Sequence, residues 1–311
     1  IVKGVIDNAP DIDSTSVIPR GYKSVMVDSD GNKMAELITA GSNRVWVDID
    51  NIPEHVQKAF VDVEDERFYK HNGIDLKGII RAGMKWIASG FRKTEGASTI
   101  TQQLLKNSVF DFMSEDTLVE KIERKLQEQY LALELEKIMT KDEILEAYLN
   151  TINLGQNTLG IQAAANRYFN KDVSELSVSE AAVIAGITKS PTKYNPVTDP
   201  EENSKRREIV LDDMKKCGDI SEEEYQEAMA DDVYDRIQTT NETKSSASVY
   251  SYYVDATIAQ VINDLQEVKG YTSQQAYNLV YNGGLTIETA QDPEVQKIMD
   301  EETSNEDNYP A

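Results

Sequence analysis

Residues 60–73 read FVDVEDERFYKHNG, and this stretch decides the fold because a helical apolar repeat ends in it at a glutamate. The apolar residues of 56–63 recur at the i, i+3, i+4, i+7 spacing of an amphipathic helix. Glu64 therefore lies at the end of that helix, near the aromatic pair Phe68 and Tyr69, where partial desolvation suits a general base. The alternative is an acidic helix end in an acidic protein.

The same motif ends in a turn at Asn72 and Gly73, preceded by His71. His71 is one of two histidines in the chain. A hydrogen-bonded structural histidine that holds this turn is favoured over a catalytic acid.

A second motif, GASTITQQLLKN, occupies residues 96–107. It predicts Ser98 as the N-cap of a helix from Thr99 to Asn107, with a polar stripe that includes Gln102 or Gln103 and Lys106. Unpaired amides and the dipole at such a helix start suit an anion. For this segment alone, an ordinary capped surface helix is favoured.

A third motif, RKLQE at residues 124–128, adds cations. On a helix from Glu120 to Ile138, Arg124 lies four residues before Glu128 and Lys125 lies three before it, so all three project to one side. Taken alone, this triad predicts a solvated salt-bridge face worth about half a kcal/mol. A fourth motif, KDEILEAYLN at residues 141–150, follows.

Capping-box patterns mark three further helix starts, at Thr140 with Glu143, Ser177 with Glu180, and Ser221 with Glu224. Strand and hairpin chemistry marks residues 24–27, a turn at 28–31, and residues 45–47. The polar stretch that begins at Gln238 predicts a linker, followed by a helix from Tyr252 to Leu265 and a strand over residues 285–289. The chain is therefore predicted to be mainly α.

Composition limits the function. The 311 residues are 40% hydrophobic and 28% charged, enough for a core, and the net charge of −23 argues against general binding to nucleic acid. An anionic ligand therefore needs a local cluster of cations. Cys217 is the single cysteine, and the two histidines lack compact ligand spacing, so neither an intrachain disulfide nor a structural zinc site is predicted. No apolar run of about 18 residues predicts a membrane span.

Two enzyme classes are excluded because the motif of the first is interrupted and the motifs of the second are missing. Residues 190–193 read SPTK, which matches the Ser-x-x-Lys pattern of penicillin-reactive enzymes, but the proline prevents the helical turn that would bring the lysine onto the serine. No Walker or dinucleotide glycine pattern occurs.

Together, the four motifs resemble glycosyltransferase family 51, the peptidoglycan glycosyltransferase domain of bifunctional class A penicillin-binding proteins. The likeness runs from about Trp46 to Met229, and residues 162–169, QAAANRYF, are similar to the family's fifth motif. Asn170, which follows, stands where the family commonly has glycine. Residues 283–293, GGLTIETAQDP, resemble the stretch that leads into the transpeptidase domain.

The resemblance implies a mainly α, lysozyme-like, two-lobed glycosyltransferase domain with short β segments at the N-terminal linker and the C-terminal end. Residues 1–50 would be the N-terminal linker and residues 51–231 the glycosyltransferase domain. Residues 232–311 would form a linker to a transpeptidase domain absent from this chain.

The resemblance also implies an activity: polymerisation of lipid II into β-1,4 glycan with inversion at C1 and release of undecaprenyl pyrophosphate. Glu64 would be the general base and Glu128 the second carboxylate. The remaining implied residues are the pyrophosphate-stabilising cations Lys106, Arg124 and Lys125, the cleft-lining Ser98, Thr99, Gln102, Asn107 and Arg81, and the supporting Asp65, Phe68 and His71.

The implied partners are lipid II, the growing glycan strand and a membrane surface, with no nucleic acid. The membrane surface would be contacted by a jaw region around residues 84–93; a packed helix followed by a solvated loop is the equal alternative. No cofactor is required, and a Mg²⁺ or Mn²⁺ ion at the pyrophosphate is compatible with the chemistry. The implied location is the extracytoplasmic face of the bacterial membrane, with an anchoring N-terminal span absent from this chain.

Two other functions fit a lysozyme-like scaffold. A muramidase or lytic enzyme would use an acidic glutamate but has no need of a pyrophosphate-binding cation cluster. A non-catalytic scaffold that binds the cell wall would need neither glutamate.

Overall fold

The computed structural model describes residues 2–13, 17, 24–37, 45–89, 96–110, 117–156, 158–239 and 251–304, and excludes the side chains of Trp86 and Asn282. Helices dominate these ranges and one small sheet accompanies them, which confirms the mainly α prediction. The strands are β1 (Ser24–Val27), β2 (Lys33–Leu37) and β3 (Thr286–Glu288). The helices are α1 (Val2–Asp7), α2 (Glu54–Asp65), α3 (Leu76–Ala88), α4 (Ile100–Ser108), α5 (Leu118–Ile138), α6 (Lys141–Thr151), α7 (Ile161–Phe169), α8 (Val178–Ile187), α9 (Pro200–Cys217), α10 (Glu222–Ala230), α11 (Tyr252–Lys269), α12 (Ser273–Asn282) and α13 (Pro293–Ser304).

Helix α8 lies at the centre of the larger hydrophobic core. Its sequence VSEAAVIAGI is apolar on nearly every side, and Ser179 through Ile187 are all buried. Helices α2 and α9 pack against it. Because α2 buries Val56, Ala59 and Phe60, Glu64 is carried on the last turn of a helix that the core holds in place.

Helix α4 packs against α5 and α6 through Ile100, Leu104 and Leu105, which are fully buried. The predicted capping boxes at Thr140, Ser177 and Ser221 all form, so those helix starts are confirmed.

Helix α7 is capped at its C-terminus by Asn170, the position where the family commonly has glycine. Asn170 ends α7 in the left-handed conformation, with φ of 52° and ψ of 43°. Asparagine tolerates this region better than most residues, so the turn closes here in the geometry that a glycine would adopt.

The sheet joins the two ends of the chain. β1 pairs antiparallel with β2 and parallel with β3, with Met26 opposite Ile287. The sheet and helices α11 and α12 share a second, smaller core that includes Met26, Leu37, Val254 and Val280. The two segments predicted as linkers thus pair with each other, although the domain boundaries remain predictions. Most of the predicted polar linker, residues 240–250, lies outside the described residues.

One strand prediction is wrong. Residues 45–48 have no regular secondary structure. Val47 donates its amide to Asn150 Oδ1, Ile49 donates to Glu146 Oε2, and the Trp46 indole donates to Glu146 Oε1. The segment therefore satisfies its backbone on side chains of α6 instead of on a neighbouring strand.

No helix in the described part of the chain is both long and apolar enough to cross a membrane.

A glycine substitution tests the packing between α6 and α7. Gly160 has φ of +84° and ψ of 160°, and a Cβ there would lie 2.6 Å from the Asn150 carbonyl oxygen. We expect Gly160→Ala to lower the free energy of unfolding by about 2–4 kcal/mol in urea denaturation, from strain and overpacking together.

Gly218→Ala is the matched control. Gly218 has the same φ of +84°, but nothing lies within 4 Å of its virtual Cβ. We expect a loss of about 1 kcal/mol there, from the left-handed backbone alone. Equal losses at the two positions would contradict the packing argument.

Candidate active site

A cleft of about 630 Å³ runs between the end of α2, the start of α4 and helix α9. Acidic, basic and neutral polar side chains all line it, so it is suited to a charged and hydroxylated ligand. The lining residues are Asp62, Val63, Glu64, Asp65, Glu66, Asp75, Gly78, Arg81, Lys85, Gly96, Ala97, Ser98, Thr99, Gln102, Gln103, Lys106, Lys125, Thr188, Lys189, Arg206, Ile209, Asp213 and Lys216.

Glu64 is held by neutral donors on both carboxylate oxygens. Thr188 Oγ1 lies 2.7 Å from Oε1, and Gln103 donates from Nε2 to Oε2 at 2.9 Å. A cation contact is longer, with Arg206 Nη2 at 3.7 Å from Oε1. The side chain keeps 15% of its surface exposed in the cleft, so the carboxylate is both oriented and accessible.

The side-chain amide of Gln103 is itself oriented by a hydrogen bond from Tyr148. Tyr148, which is fully buried, donates its hydroxyl to Gln103 Oε1 at 3.3 Å. Burial, and then the nearby charges of Glu64 and Asp65, raise the pKa of the Tyr148 phenol well above its usual value, so it stays a donor. The chain of contacts from Tyr148 through Gln103 therefore fixes which amide atom faces Glu64.

Asp65 joins the first two motifs. Its Oδ1 and Oδ2 lie 2.9 and 3.0 Å from His71 Nε2, and Oδ2 also accepts the Ile100 amide at 3.0 Å. Thr99 donates its hydroxyl to the Gly73 carbonyl at 2.7 Å. His71 thus makes the structural hydrogen bond that the sequence favours.

The predicted cap at the start of α4 is wrong. Thr99, not Ser98, is the N-cap and accepts the Gln102 amide, while Ser98 accepts from Lys125 Nζ at 3.1 Å. The Ile100 amide is bonded to Asp65. Two amides of the first turn are therefore paired within the protein, and the anion seat remains a prediction.

Glu128 forms a buried ion triad. Its side chain has no exposed surface, and it accepts from the Arg124 guanidinium and from Lys125 Nζ, the latter at 2.5 Å. The prediction of a solvated salt-bridge face is therefore wrong. The carboxylate neutralises two cations where the desolvation of an unpaired charge would be costly, and it fixes Lys125 at the cleft wall.

A second ion cluster spans one side of the cleft. Glu66 binds Arg81 of α3 at 2.6 Å and Lys216 of α9 at 2.7 Å. The hydrogen bond from Lys216, with that from Arg81, lowers the pKa of Glu66 to about 2. Arg81, predicted to line the cleft, does line it and is paired there with a carboxylate.

The predicted site residues fall into two groups. The structure brings Glu64, Asp65, Arg81, Ser98, Thr99, Gln102, Lys106 and Lys125 into the cleft lining. The others do not line it: Glu128 and Phe68 are fully buried, and Arg124, Asn107 and His71 lie outside the lining. Sequence reasoning missed Thr188, Lys189, Arg206, Glu66 and Lys216, and no spacing signal links them to Glu64.

One grouping in the described residues has the geometry of metal ligands. Ligand atoms of Asp62, Cys217 and Asp219 lie within 4.8 Å of one another. The thiol makes this donor set unsuited to Mg²⁺ or Mn²⁺, which prefer oxygen. Burial, followed by the charge of Asp219, raises the pKa of Asp62 to about 7, and Lys58 binds Asp219 at 2.8 Å. At neutral pH the Asp62 carboxyl is therefore partly protonated, and the Lys58 ammonium is paired with Asp219.

These features define the class: a helical protein whose cleft contains a glutamate oriented by neutral donors and several cationic side chains. The chain belongs to the transglycosylase family, whose model matches residues 30–215.

Curated relatives agree with the family. The chain is 38% identical over 318 residues to "Penicillin-binding protein 1A" of Clostridium perfringens strain 13, covering 100% of this chain and 46% of the relative. It is 36% identical over 302 residues to "Penicillin-binding protein 1A/1B" of Bacillus subtilis strain 168, covering 96% and 31%. The chain thus spans less than half the length of these relatives. The crystal structure of penicillin-binding protein 1A from Haemophilus influenzae matches with a TM-score of 0.39 and 21% identity, over 90% of this chain and 29% of that one.

The buried carboxyl of Asp62 makes stability depend on pH. Its pKa is raised from 3.8 to about 7, so the folded chain binds a proton that the unfolded chain releases between those values. Stability from this group is therefore lost as the pH rises from about 4 to about 7. We expect Asp62→Asn to raise the free energy of unfolding by about 1–3 kcal/mol at pH 8 and by much less at pH 4.5. A pH-independent difference between the variants would contradict this assignment.

Proposed function

We propose that this chain is a peptidoglycan glycosyltransferase that polymerises lipid II into β-1,4 glycan strands. The observation that carries the proposal is that Glu64, oriented by Gln103 and Thr188, lines the same cleft as Lys106 and Lys125. A base and a diphosphate-binding region are the two parts that this transfer requires. The family match and the relatives' names support the same reaction.

In the proposed reaction, Glu64 takes the proton from the 4-hydroxyl of the acceptor sugar. That oxygen forms a bond to C1 of the growing chain's terminal sugar as the bond from C1 to the pyrophosphate oxygen breaks. The electron pair leaves with undecaprenyl pyrophosphate, and C1 is inverted.

The cations would act on the leaving group. Charge grows on the pyrophosphate in the transition state, where preorganised donors are most effective. Lys125 is preorganised by Glu128 and Ser98, and Lys106 lines the same cleft. We assign Glu128 a positioning role for Lys125, since Glu128 is fully buried.

The proposed chemistry requires no cofactor. Two carboxylates of the cleft lining are already engaged, Glu66 by Arg81 and Lys216, and Asp75 by Arg67 and the Gly78 amide. A Mg²⁺ or Mn²⁺ ion bound to the pyrophosphate would be compatible with this chemistry.

A lytic function is the weaker alternative. A glycosidase protonates or displaces a glycosidic oxygen and gains nothing from a lysine fixed in the cleft by a buried carboxylate. The Lys125–Glu128 pair therefore favours transfer from a diphosphate over cleavage of a glycan.

We further propose that α3 contacts the membrane in which lipid II resides. Leu76, Ile80, Met84 and Ile87 form an apolar stripe along this helix, each more than half exposed. An exposed apolar face with flanking basic groups suits the boundary between lipid headgroups and acyl chains. The remainder of the predicted jaw, residues 90–93, lies outside the described residues. The extracytoplasmic face, where peptidoglycan is assembled, would be the site of action.

Polymerisation of labelled lipid II tests the activity. We expect the parent chain to form glycan polymer and Glu64→Gln to form at least about 100-fold less, because the general base is lost. Glu208→Gln is the control, since Glu208 is exposed and outside the cleft. Polymerisation at the parent rate by Glu64→Gln would exclude Glu64 as the base.

The same assay separates transfer from lysis. Lys125→Met should lower the polymerisation rate by about 100-fold if the ammonium stabilises the leaving pyrophosphate. A lytic enzyme would instead shorten preformed glycan and would tolerate this change.

Flotation with phosphatidylcholine vesicles tests the membrane contact. Because these zwitterionic vesicles carry no net charge, long-range electrostatic attraction between protein and membrane cannot cause the binding. We expect the parent to float with the vesicles. The double variant Ile80→Glu/Met84→Glu should bind them about tenfold more weakly, because two apolar side chains no longer enter the lipid.

Ile298→Glu/Met299→Glu on α13 is the matched control, because those residues are 59% and 56% exposed. Equal losses for the two double variants would exclude a specific contact through α3.

A further inference from the structure

Thr188 places one hydroxyl proton between two acceptors. Its Oγ1 lies 2.7 Å from Glu64 Oε1 and 2.7 Å from the Ala185 carbonyl oxygen. A hydroxyl donates one hydrogen bond and can accept others. Only one of these two contacts can therefore use the threonine's own proton at a time.

The core fixes the position of this hydroxyl. Thr188 ends α8, whose residues 179–187 are buried, and its backbone is helical with φ of −50° and ψ of −40°. The Thr188 amide also donates to the Ala185 carbonyl, at 3.3 Å. That carbonyl therefore retains a donor when the hydroxyl proton turns away from it.

We propose that Thr188 is a positioning residue for Glu64 that serves the glutamate in both of its protonation states. This inference rests on the proposed function, in which Glu64 is the general base. When Glu64 is ionised, the Thr188 proton is donated to Oε1, because a hydrogen bond to a charged acceptor is the stronger one.

The hydroxyl reverses its role when Glu64 takes up a proton. The acceptor sugar's hydroxyl proton moves to the Glu64 carboxylate as its oxygen bonds to C1 and the pyrophosphate leaves with its electron pair. The Thr188 proton then rotates to the Ala185 carbonyl, and Oγ1 can accept from the new carboxylic acid. No heavy atom moves, so neither state leaves a donor or acceptor unpaired.

Other groups near Glu64 come from the helices that surround it. Gln103 of α4 holds Oε2, Arg206 of α9 lies 3.7 Å from Oε1, and the Tyr148 phenol of α6 interacts with Glu64 electrostatically. Lys106 and Lys189 line the same cleft. Gln103 and Thr188 donate hydrogen bonds to Glu64, and the Thr188 hydroxyl proton can rotate to another acceptor whereas the Gln103 amide protons are fixed in the amide plane.

Steady-state kinetics of lipid II polymerisation by the 311-residue chain tests the proposal. We expect Thr188→Val to lower kcat about tenfold, the factor that one hydrogen bond to a charged group is worth, with KM for lipid II nearly unchanged. The acid limb of its pH–rate profile should move to higher pH, because the carboxylate has lost a donor. Thr188→Ser, which keeps the hydroxyl, should restore both values to within about threefold of the parent.

Thr151→Val is the matched structural control. Thr151 makes the same back-bond in α6, from Oγ1 to the Ala147 carbonyl at 2.7 Å, and it is buried away from the cleft. It should lose stability but keep the parent pH–rate profile. If Thr188→Val lowers stability in the same way and leaves kcat and the acid limb unchanged, the proposal is overturned.

A titration separates this inference from the proposed function. Glutamate labelled with ¹³C at the carboxyl carbon gives a signal for Glu64, assigned by its loss in Glu64→Gln. We expect the midpoint of that titration to rise by about one pH unit in Thr188→Val and to stay near the parent in Thr188→Ser. A parent chain that makes no polymer refutes the proposed function, whereas an unmoved midpoint in Thr188→Val refutes the role of Thr188.

Discussion

The buried carboxylate of Asp65 determines how the cleft is assembled. It receives the His71 ring on one side and the first amide of α4 on the other, and so ties the end of α2 to the start of α4. A buried carboxylate without these donors would be costly, so both elements are held against it. As a result Gln103, on the first turn of α4, lies beside Glu64, on the last turn of α2.

Local charge in the cleft differs from the charge of the whole chain. The net charge of −23 repels anions at long range, yet Lys125 is held at the cleft wall by Glu128. Glu128 is fully buried, and its pairing with Arg124 and Lys125 restricts where Lys125 can lie. The Lys125 side chain is 44% exposed while the Glu128 carboxylate is buried, so the pair is screened by salt less than a fully exposed pair would be.

Sequence periodicity predicted the elements that depend on local interactions. The helix that carries Glu64, the capping boxes, and the strand and turn at residues 24–31 all follow from spacings within a few residues. The partner strand, Lys33–Leu37, was not predicted. Periodicity also placed Arg124, Lys125 and Glu128 on one face, but it could not show that the face is buried, since burial depends on what packs above it.

Contacts between distant residues were not predictable. Thr188 meets Glu64 across 124 positions, and β3 joins β1 across more than two hundred. The cap at Thr99 instead of Ser98, and the loss of a strand at Trp46, have the same cause: a distant side chain bonds to the group that local rules had assigned. For this reason the chemistry-bearing motifs were recognisable, while the groups that orient them were not.

The surroundings of Glu64 and Glu128 differ in a way that fits the two roles assigned to them in the proposed reaction. A general base must accept a proton and later release it, so its partners should be dipoles that can adjust to both states, and Glu64 has an amide and a hydroxyl. A carboxylate that fixes cations must stay ionised throughout, so full charges are its appropriate partners, and Glu128 has a guanidinium and an ammonium. If these environments were exchanged, the base would be locked as an anion and the lysine would lose its anchor. In the proposed reaction, this division between neutral and charged partners would separate the proton-transfer end of the cleft from the leaving-group end.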